Sequence, residues 1–255
     1  MIKQVSKTSA LCKCCGAQAT LFDVVDFSKN CEENRGFYLP LSGMPVYYFK
    51  CGRCGFIFTD QFDDFSFDDF KTQIYNEGYT AVDPDWEHIR PQEAARIIEH
   101  LFGKLKESLH ILDYGSGSGL FADQLNKLGF KHASSYDPFY PQETEPQREA
   151  FHLVTCFEVV EHTPTPKATF EDMFSYLRPD EGLTLFSTLV APPEIEKVKG
   201  SWWYIAPRNG HISIHTPKSL SKIIRKCKMT YRQENANLHY AYKSVPEFAR
   251  FLIDR

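Results

Sequence analysis

The segment ILDYGSGSGLF, residues 111–121, constrains the fold more than any other part of the chain. A short apolar strand ends at Asp113, and a helix is predicted from about Leu120. Between them stand three glycines at alternate positions, Gly115, Gly117 and Gly119. Glycine lets the backbone turn tightly and approach a ligand, and the N–H groups at a helix N-terminus bind polar groups. The segment therefore predicts a nucleotide-binding loop at the carboxyl edge of an α/β sheet.

Asp137 ends the next predicted strand, and a carboxylate at that position can accept hydrogen bonds from both hydroxyls of a ribose. The loop alone leaves two cofactor classes open. Counted from Gly117, it reads G-x-G-x-x-A and fits a dinucleotide, so a nicotinamide-dependent oxidoreductase is one interpretation. The acid two residues before Gly115, and the motifs farther along the chain, favour the other class.

From His110 onward, strands and helices are predicted to alternate. Helices with apolar stripes are expected from about Glu87, Leu120, Thr165 and Thr216. Strands are expected at 111–113, 135–137, 153–157, 183–189, 229–233 and 238–242. Alternation of this kind predicts a doubly wound, Rossmann-like α/β fold with a mainly parallel sheet.

With an acid followed by G-x-G-x-G, the segment from Asp113 to Gly119 resembles the first motif of class I methyltransferases that use S-adenosylmethionine (SAM). The resemblance implies the class I methyltransferase sheet. It also implies that Asp113 and the three glycines surround the methionine part of SAM, and that Asp137 holds its ribose. The connection from Asp137 to the strand at 153–157 is short, so the third strand usual in this family is not expected.

The segment FHLVTCFEVVEH, residues 151–162, resembles the strand of the same family that lies beside SAM. The resemblance implies that Cys156 and Phe157 line the cofactor. Glu158, Glu161 and His162 would then approach the methyl acceptor. Relatives with E-x-x-E-H include quinone-pathway O-methyltransferases and small-RNA terminal 2′-O-methyltransferases. In the RNA enzymes, two glutamates and two histidines hold Mg²⁺, and either His211 or His215 could complete such a set here.

Three interpretations of the E-x-x-E-H segment remain open. His162 could act as a general base on a hydroxyl group. The carboxylates and imidazoles could instead bind Mg²⁺ or Mn²⁺. The residues could also only orient loops and cap the helix that starts near Thr165. Methyl transfer is an in-line displacement at an activated carbon, so positioning of the acceptor can matter more than a base.

Aromatic residues flank the predicted acceptor side. The segment WWYIAPRNGHISIH resembles a related part of the family, which implies that Trp202, Trp203, Tyr204 and His211 stand over the acceptor. The alternative for the two tryptophans is packing under a long loop. Tyr75 and Tyr79 precede the predicted fold and are expected to close over the cofactor as a lid.

Six of the eight cysteines lie in the first 54 residues, and four of them form two C-x-x-C-G motifs. Two such pairs supply four thiolates for a closed, tetrahedral zinc site formed by Cys12, Cys15, Cys51 and Cys54. A redox-active pair is the alternative. Cys14 could replace Cys12 as a ligand, and Cys31 is expected to be a free thiol.

Composition and charge exclude several function classes. The net charge of −4 provides no bulk attraction to nucleic acid or to an anionic membrane, and no apolar run is long enough to span a membrane. The N-terminal residues lack the apolar region of a secretory signal, so a cytoplasmic location is expected. In that reducing compartment, cysteine pairs favour metal binding over disulfides.

The expected organisation is a zinc-ribbon module at 1–60, a linker or lid segment at 61–85, and a SAM-dependent methyltransferase domain at 86–255. The predicted function is methyl transfer to a small molecule such as a saccharide or a secondary-metabolite intermediate. Nucleic acid and membrane partners are not expected. The rivals are the oxidoreductase, a non-catalytic zinc-ribbon adaptor that binds SAM, and metal-assisted methylation of an RNA ribose.

Overall fold

The computed structural model describes residues 7–139 and 144–254, which form two compact units. The first, called here the cysteine unit, comprises Met1–Asp83, Glu161–Lys167 and Leu189–Ile223. The second, called here the glycine-loop unit, comprises Pro84–Val160, Ala168–Thr188 and Ile224–Arg255. Residues 1–6, part of the segment expected to lack a secretory signal, lie outside the described residues. Among those described, no helix has both the length and the apolar character that crossing a membrane requires.

The cysteine unit is built on an antiparallel sheet of five strands. The strands are β1 (Ser9–Leu11), β2 (Gln18–Asp26), β3 (Pro45–Cys51), β4 (Ile57–Phe58) and β9 (Ser213–Ile214), in the order β1-β2-β3-β4-β9. Because β9 comes from the second half of the chain, this unit is larger than the 1–60 module expected from the cysteines.

Short helices complete the cysteine unit. They are α1 (Phe67–Gln73), α2 (Tyr79–Val82) and α6 (Ile195–Val198), with 3₁₀ helices at Cys31–Arg35, Lys199–Ser201 and Pro207–Asn209. The start of α1 follows from the local sequence. Ser66 accepts a hydrogen bond from the backbone N–H of Asp69, and the Asp69 carboxylate accepts one from the Ser66 N–H, which is a capping box.

The glycine-loop unit contains a mixed sheet of six strands. The strands are β5 (His110–Tyr114), β6 (His132–Tyr136), β7 (Leu153–Phe157), β8 (Leu183–Ser187), β10 (Thr230–Gln233) and β11 (Leu238–Tyr242), in the order β10-β11-β8-β7-β5-β6. The four strands β5 to β8 are parallel, whereas β11 pairs antiparallel with β8 and β10 pairs antiparallel with β11. In the described part of the chain, β10 and β6 are the two edge strands of this sheet.

Helices lie on both faces of this sheet. They are α3 (Ile89–Phe102), α4 (Leu120–Lys127), α5 (Pro166–Ser175) and α8 (Arg250–Ile253), with 3₁₀ helices at Gly103–Leu105 and Glu247–Ala249. Helix α7 (Pro217–Lys226) belongs to the cysteine unit up to Ile223 and to the glycine-loop unit from Ile224. On one face, Phe102 of α3 and Leu125 of α4 pack with Leu185 of β8 in one apolar core. On the other, Phe170 of α5 contacts Phe186, the next residue of β8. The Rossmann-like α/β prediction is confirmed.

The order of the parallel strands creates a topological switch point at their carboxyl ends. The chain continues from β5 to β6 on one side and later adds β7 on the other side of β5. Loops that leave neighbouring strands in opposite directions separate there, and ligands of open α/β sheets bind at this switch point. The loops at this point begin at Gly115 and Glu158, the residues after β5 and β7.

His239 makes the stability of the glycine-loop unit sensitive to acid. Its Nε2 lies 3.0 Å from the Thr188 carbonyl oxygen, and its Nδ1 lies 3.1 Å from the Tyr231 hydroxyl, so a neutral ring satisfies both contacts. Burial lowers the pKa of His239 to about 4, although the bond to Thr188 opposes this change. The neutral ring is therefore part of the folded state.

We expect the free energy of unfolding to fall as the pH drops from 6.5 to 4. In this window His239 becomes protonated in the unfolded chain but stays neutral in the folded chain. The free energy of unfolding therefore falls by about 3 kcal/mol, at 1.4 kcal/mol per pH unit. Urea denaturation of wild type and His239→Gln across this range measures the effect, and the variant should lose less stability. An identical pH dependence in the two proteins would contradict the assignment.

Candidate functional site

The glycine loop after β5 has a backbone that only glycine adopts readily. Gly115, Gly117 and Gly119 have φ values of 76°, 52° and 77°, in the left-handed region. A Cβ on Gly115 would lie 2.6 Å from a methyl carbon of Val159, so the turn is also closely packed. The N–H of Gly115 donates to the Tyr136 carbonyl oxygen at 2.8 Å, which ties the loop to the end of β6. The loop thus forms a rigid backbone surface at the switch point.

Asp137 organises this loop from the end of β6. One carboxylate oxygen accepts a hydrogen bond from the Gly117 N–H at 2.8 Å, and the other accepts one from the Phe139 N–H at 2.9 Å. Burial raises the pKa of Asp137, and these two hydrogen bonds oppose the rise. A carboxylate oxygen has two lone pairs, so each can still accept a hydroxyl.

Asp113 lies beneath the loop rather than at its surface. It is buried, and burial followed by the charge of Asp137 raises its pKa to about 8, against a hydrogen bond with Thr155 that lowers it. At neutral pH a large share of Asp113 is therefore protonated, which limits repulsion between the two acids. The buried position of Asp113 fits a role in supporting the glycine turn that follows β5.

The other predicted cofactor residues of this unit lie on β7. Cys156 is fully buried, whereas Phe157 is half-buried and packs edge-on against Phe121 of α4 with ring centroids 5.5 Å apart. Two aromatic residues near the loop were missed by sequence reasoning. Trp86 has a ring carbon 4.0 Å from where a Gly117 Cβ would be, and Phe139 is 44% exposed directly after Asp137. Trp86 stands among turn-forming residues without periodicity, so no local pattern could have marked it.

Three of the four predicted catalytic residues lie together in the cysteine unit. Glu161, His162 and His211 each offer a ligand or proton-accepting atom, and these atoms lie within 4.8 Å of one another. Glu161 is fully buried, and its Oε1 is 4.0 Å from Nε2 of His162. We call these three residues the acid–histidine cluster.

Tyr204 holds two members of this cluster. Its hydroxyl donates to Oε1 of Glu161 at 2.6 Å, and its carbonyl oxygen lies 2.8 Å from Nδ1 of His211. A carbonyl oxygen only accepts hydrogen bonds, so Nδ1 of His211 is the donor and its Nε2 is the basic nitrogen in the neutral ring. Tyr204 is 2% exposed, and its ring packs on His211 with centroids 4.2 Å apart. The expectation that it stands over the acceptor stays a prediction.

Glu158 is not a member of this cluster and belongs to the glycine-loop unit. It has a φ of 54°, which is uncommon for a residue with a side chain. The Ser187 hydroxyl accepts a hydrogen bond from the Glu158 N–H at 2.9 Å and donates one to its carboxylate at 2.6 Å. These bonds join the ends of β7 and β8 and hold the strained backbone. Strain of this kind is concentrated at functional sites.

The remaining predicted residues belong to the cysteine unit. Tyr75 lies beside the cluster, with its ring 6.2 Å from that of His162. Tyr79 is buried and its ring contacts that of Tyr75. Their proposed role as a lid over the cofactor stays a prediction. His215 is buried with its ring 4.9 Å from that of Phe56 and is not in the cluster. His211 is therefore the histidine that the fold brings to Glu161 and His162.

The four cysteines of the C-x-x-C-G motifs meet at one point. The Sγ atoms of Cys12 and Cys54 are 3.6 Å apart, and those of Cys15 and Cys51 are 3.5 Å apart. Four sulfurs bound tetrahedrally to zinc at about 2.3 Å would be about 3.8 Å apart, so the arrangement fits the metal closely. Burial acts to raise the pKa of Cys51, but backbone hydrogen bonds and the neighbouring thiols bring it down to about 7. Burial and contacts among the thiols raise the pKa values of Cys12, Cys15 and Cys54, so Cys51 is the member of the metal-free group that most readily supplies thiolate, the form that binds metals.

The other two N-terminal cysteines make different contacts. Cys14 is buried and its thiol donates to the Ser219 carbonyl oxygen at 3.3 Å. Cys31 has its sulfur 3.7 Å from Nδ1 of His211. Neither belongs to the group of four, so Cys14 does not replace Cys12 there.

Comparison with known proteins identifies the family of the chain. The model of a family described as "Methyltransferase domain" matches residues 86–229. A ubiquinone biosynthesis O-methyltransferase of Actinobacillus pleuropneumoniae serotype 7 (strain AP76) is 28% identical over 116 residues, which are 35% of this chain and 47% of that protein. The match thus spans about half the length of this relative.

Solved structures of methyltransferases are also similar to the chain. The citrinin polyketide synthase CMeT domain aligns with a TM-score of 0.45 and 16% identity, over 69% of this chain and 60% of that one. Magnesium protoporphyrin IX methyltransferase from Synechocystis PCC 6803, solved with S-adenosylhomocysteine, aligns with a TM-score of 0.41 and 12% identity, over 59% of this chain and 82% of that one.

Proposed function

The chain belongs to the methyltransferase-domain family, and from this premise we propose that it uses SAM to methylate a hydroxyl oxygen of a small-molecule acceptor. The family match decides between the two interpretations of the glycine loop, in favour of SAM over a dinucleotide. The observation that carries the proposal is the buried acid–histidine cluster, Glu161, His162 and His211.

For SAM, we assign the binding residues to the glycine-loop unit. The left-handed turn at Gly115, Gly117 and Gly119 leaves backbone exposed to a ligand where any side chain would be strained. Asp137 retains lone pairs for the ribose hydroxyls, and the exposed ring of Phe139 offers an apolar surface next to it. When bound, SAM supplies a methyl group activated by its sulfonium sulfur. The protein residues bind and orient it.

On the acceptor side, we assign proton removal to the acid–histidine cluster. Forming a methyl ether from an alcohol or phenol breaks the O–H bond, and in this proposal a group of the protein takes that proton. Nε2 of His211 is the basic nitrogen of its ring, and Glu161 can stabilise a protonated imidazole nearby.

A second candidate for the cluster is a divalent metal site. Its three donor atoms lie within 4.8 Å of one another, and the carbonyl oxygen of Tyr204 orients His211 as the outer partners of metal-bound histidines do. Two imidazoles and one carboxylate suit Mn²⁺ or a similar transition metal better than Mg²⁺. In this alternative mechanism, the metal would hold the acceptor oxygen and favour its deprotonated form.

We further propose that Cys12, Cys15, Cys51 and Cys54 hold one structural zinc ion. The sulfur spacing and the closed four-thiolate set support this assignment, since a catalytic zinc site keeps one position open. A glycine with a left-handed backbone follows each pair, at Gly16 and Gly55.

Small molecules are the proposed acceptors. The matched relative is named for ubiquinone biosynthesis, and the tyrosines and tryptophans of the cysteine unit could pack against a flat or ring-shaped acceptor. A saccharide or a secondary-metabolite intermediate fits this description. RNA ribose methylation is the alternative, and the net charge of −4 speaks against it.

A fractionation experiment tests the proposal. Purified protein is incubated with SAM labelled in the methyl group and with a cell extract that ultrafiltration has divided into small molecules and macromolecules. We expect S-adenosylhomocysteine to form with the small-molecule fraction, and the methylated product to resist mild base, as an ether does and an ester does not. Formation only with the macromolecular fraction would contradict a small-molecule acceptor. Formation with neither fraction would contradict the proposed reaction.

A further inference from the structure

We propose that the zinc-binding cysteine group of the cysteine unit positions the acid–histidine cluster. The inference rests on the proposed function of that cluster and on zinc binding by the four cysteines. Its basis is a continuous set of hydrogen bonds and ring contacts, all inside the cysteine unit, from the second C-x-x-C-G motif to Glu161.

The first step joins the cysteine motif to the segment 211–216. The Thr216 hydroxyl donates a hydrogen bond to the Cys54 carbonyl oxygen at 2.7 Å. A Cβ on Gly55 would lie 3.1 Å from a methyl carbon of Thr216, so the two backbones are in close contact. From the first motif, the Cys14 thiol bonds to the Ser219 carbonyl oxygen. The two cysteine motifs therefore hold the chain at Thr216, the end of this segment, and again at Ser219, three residues later.

The second step runs through the sheet. Strand β4, which begins three residues after Cys54, pairs with β9, and the Thr59 N–H donates to the Ile212 carbonyl oxygen at 3.1 Å. Strand β3, which ends at Cys51, carries Tyr48, and the Tyr48 hydroxyl donates to the His211 carbonyl oxygen at 2.8 Å. Both strands that flank the second motif thus hold the backbone around His211.

The third step reaches Glu161. The N–H groups of Ile212 and Ser213 both donate to the Glu161 carbonyl oxygen, at 3.0 and 2.9 Å. The Ser213 hydroxyl donates to the Thr163 carbonyl oxygen at 2.7 Å. The segment that carries His211 therefore also fixes the backbone of Glu161 and His162.

A short two-stranded contact such as β4–β9 has little stability of its own, because it consists of two residues on each strand. A metal bound at Cys51 and Cys54 restricts the turn that precedes β4 and lowers the cost of holding that strand in place. Loss of zinc should therefore loosen residues 210–216 and the cluster, while SAM binding by the glycine-loop unit persists. Chelation or thiol oxidation would then stop methyl transfer at the acceptor side.

Hydrogen exchange measured by mass spectrometry tests this inference without a substrate. Wild-type protein is compared before and after zinc is removed with a chelator, and zinc is counted by elemental analysis. We expect one zinc per chain, and after its removal exchange at 210–216 should accelerate by roughly 10²-fold. Exchange at 22–27, at the far end of the β2–β3 hairpin, should change by less than about threefold. SAM affinity from calorimetry should stay within about twofold.

A matched pair of variants leaves all four cysteines in place. Thr216→Val keeps the side-chain shape but removes the hydroxyl that donates to the Cys54 carbonyl oxygen and accepts from the Ser219 N–H, whereas Thr216→Ser keeps both hydrogen bonds. We expect Thr216→Val to retain zinc and to accelerate exchange at 210–216 by about tenfold, and Thr216→Ser to resemble wild type. With the small-molecule fraction, turnover should fall in the zinc-free protein and in Thr216→Val.

Several results would overturn the inference. These are protein purified without zinc, unchanged exchange at 210–216 after chelation, or equal acceleration at 22–27, which would mean that zinc holds the whole unit together. Unchanged turnover in loosened protein would equally overturn it. If wild type produces no S-adenosylhomocysteine with any fraction, the proposed function fails, and the exchange data still decide whether zinc holds the segment.

Discussion

Replacing Glu161 by Gln is expected to lower SAM turnover by roughly 10²–10⁴-fold while SAM affinity stays within about twofold of wild type. The change removes the charge of a fully buried carboxylate that lies among His162, His211 and Tyr204. Both chemical interpretations need that charge, either to stabilise a protonated histidine or to bind a metal. We expect SAM affinity to be unaffected because the residues proposed to bind SAM, Gly115, Gly117, Gly119 and Asp137, belong to the glycine-loop unit.

Parallel variants separate the two chemical interpretations. If His162 or His211 acts as a base, His162→Gln and His211→Gln should each reduce turnover, and added Mn²⁺ or Mg²⁺ should have no effect on wild type. If the cluster binds a metal, these cations should stimulate wild type and all three variants should lose activity to a similar extent.

Glu194→Gln is the matched control for these variants, because Glu194 is an exposed glutamate of the same unit. Turnover with the small-molecule fraction and calorimetry with SAM are the measurements. Turnover within about twofold of wild type in all three folded cluster variants would leave only a structural role for the cluster.

Replacing Asp137 by Ala is expected to weaken SAM binding by about a hundredfold. A charge-assisted hydrogen bond contributes roughly 1.5–3 kcal/mol, which corresponds to about tenfold to a hundredfold in affinity. The upper end applies here because the variant also loses the hydrogen bonds that hold Gly117 and Phe139 in the loop. Both the ribose contact and the shape of the turn would be lost together.

Calorimetry with SAM measures this loss, and Asp123→Asn provides the control. Asp123 is an exposed carboxylate on α4, in the same unit, and its neutralisation should leave the affinity near that of wild type. An Asp137→Ala protein that binds SAM as tightly as wild type would refute the ribose assignment.

Local sequence patterns predicted most of the glycine-loop unit. The predicted strand at 153–157 is β7 with the same bounds, and the strand at 238–242 is β11. The helices expected after Thr165 and Thr216 begin at Pro166 and Pro217. Helix caps, proline at the first helical position and apolar periodicity all act within about ten residues, so they can be recognised without the fold. The glycine loop is of the same kind, since its turn needs glycines at fixed positions.

The acid–histidine cluster could be predicted only in part. The E-x-x-E-H motif indicated Glu161 and His162, but Glu158 of the same motif lies in the other unit and bonds to Ser187. A choice between His211 and His215 was left open by the spacing. The structure decided it: after the turn at 207–210, the ring of His211 lies by Glu161, whereas the ring of His215 packs against Phe56.

By itself, the sequence determined the class of fold, the position of the glycine loop and the grouping of four cysteines, because each depends on residue types at short, regular spacing. Only the tertiary structure decided that residues 161–167 and 189–223 join the cysteine unit. That result depends on the pairing of β4 with β9, two strands of two residues each that lie far apart in the chain. Strands this short have no periodicity to detect, and their pairing becomes favourable only when the residues around them pack together.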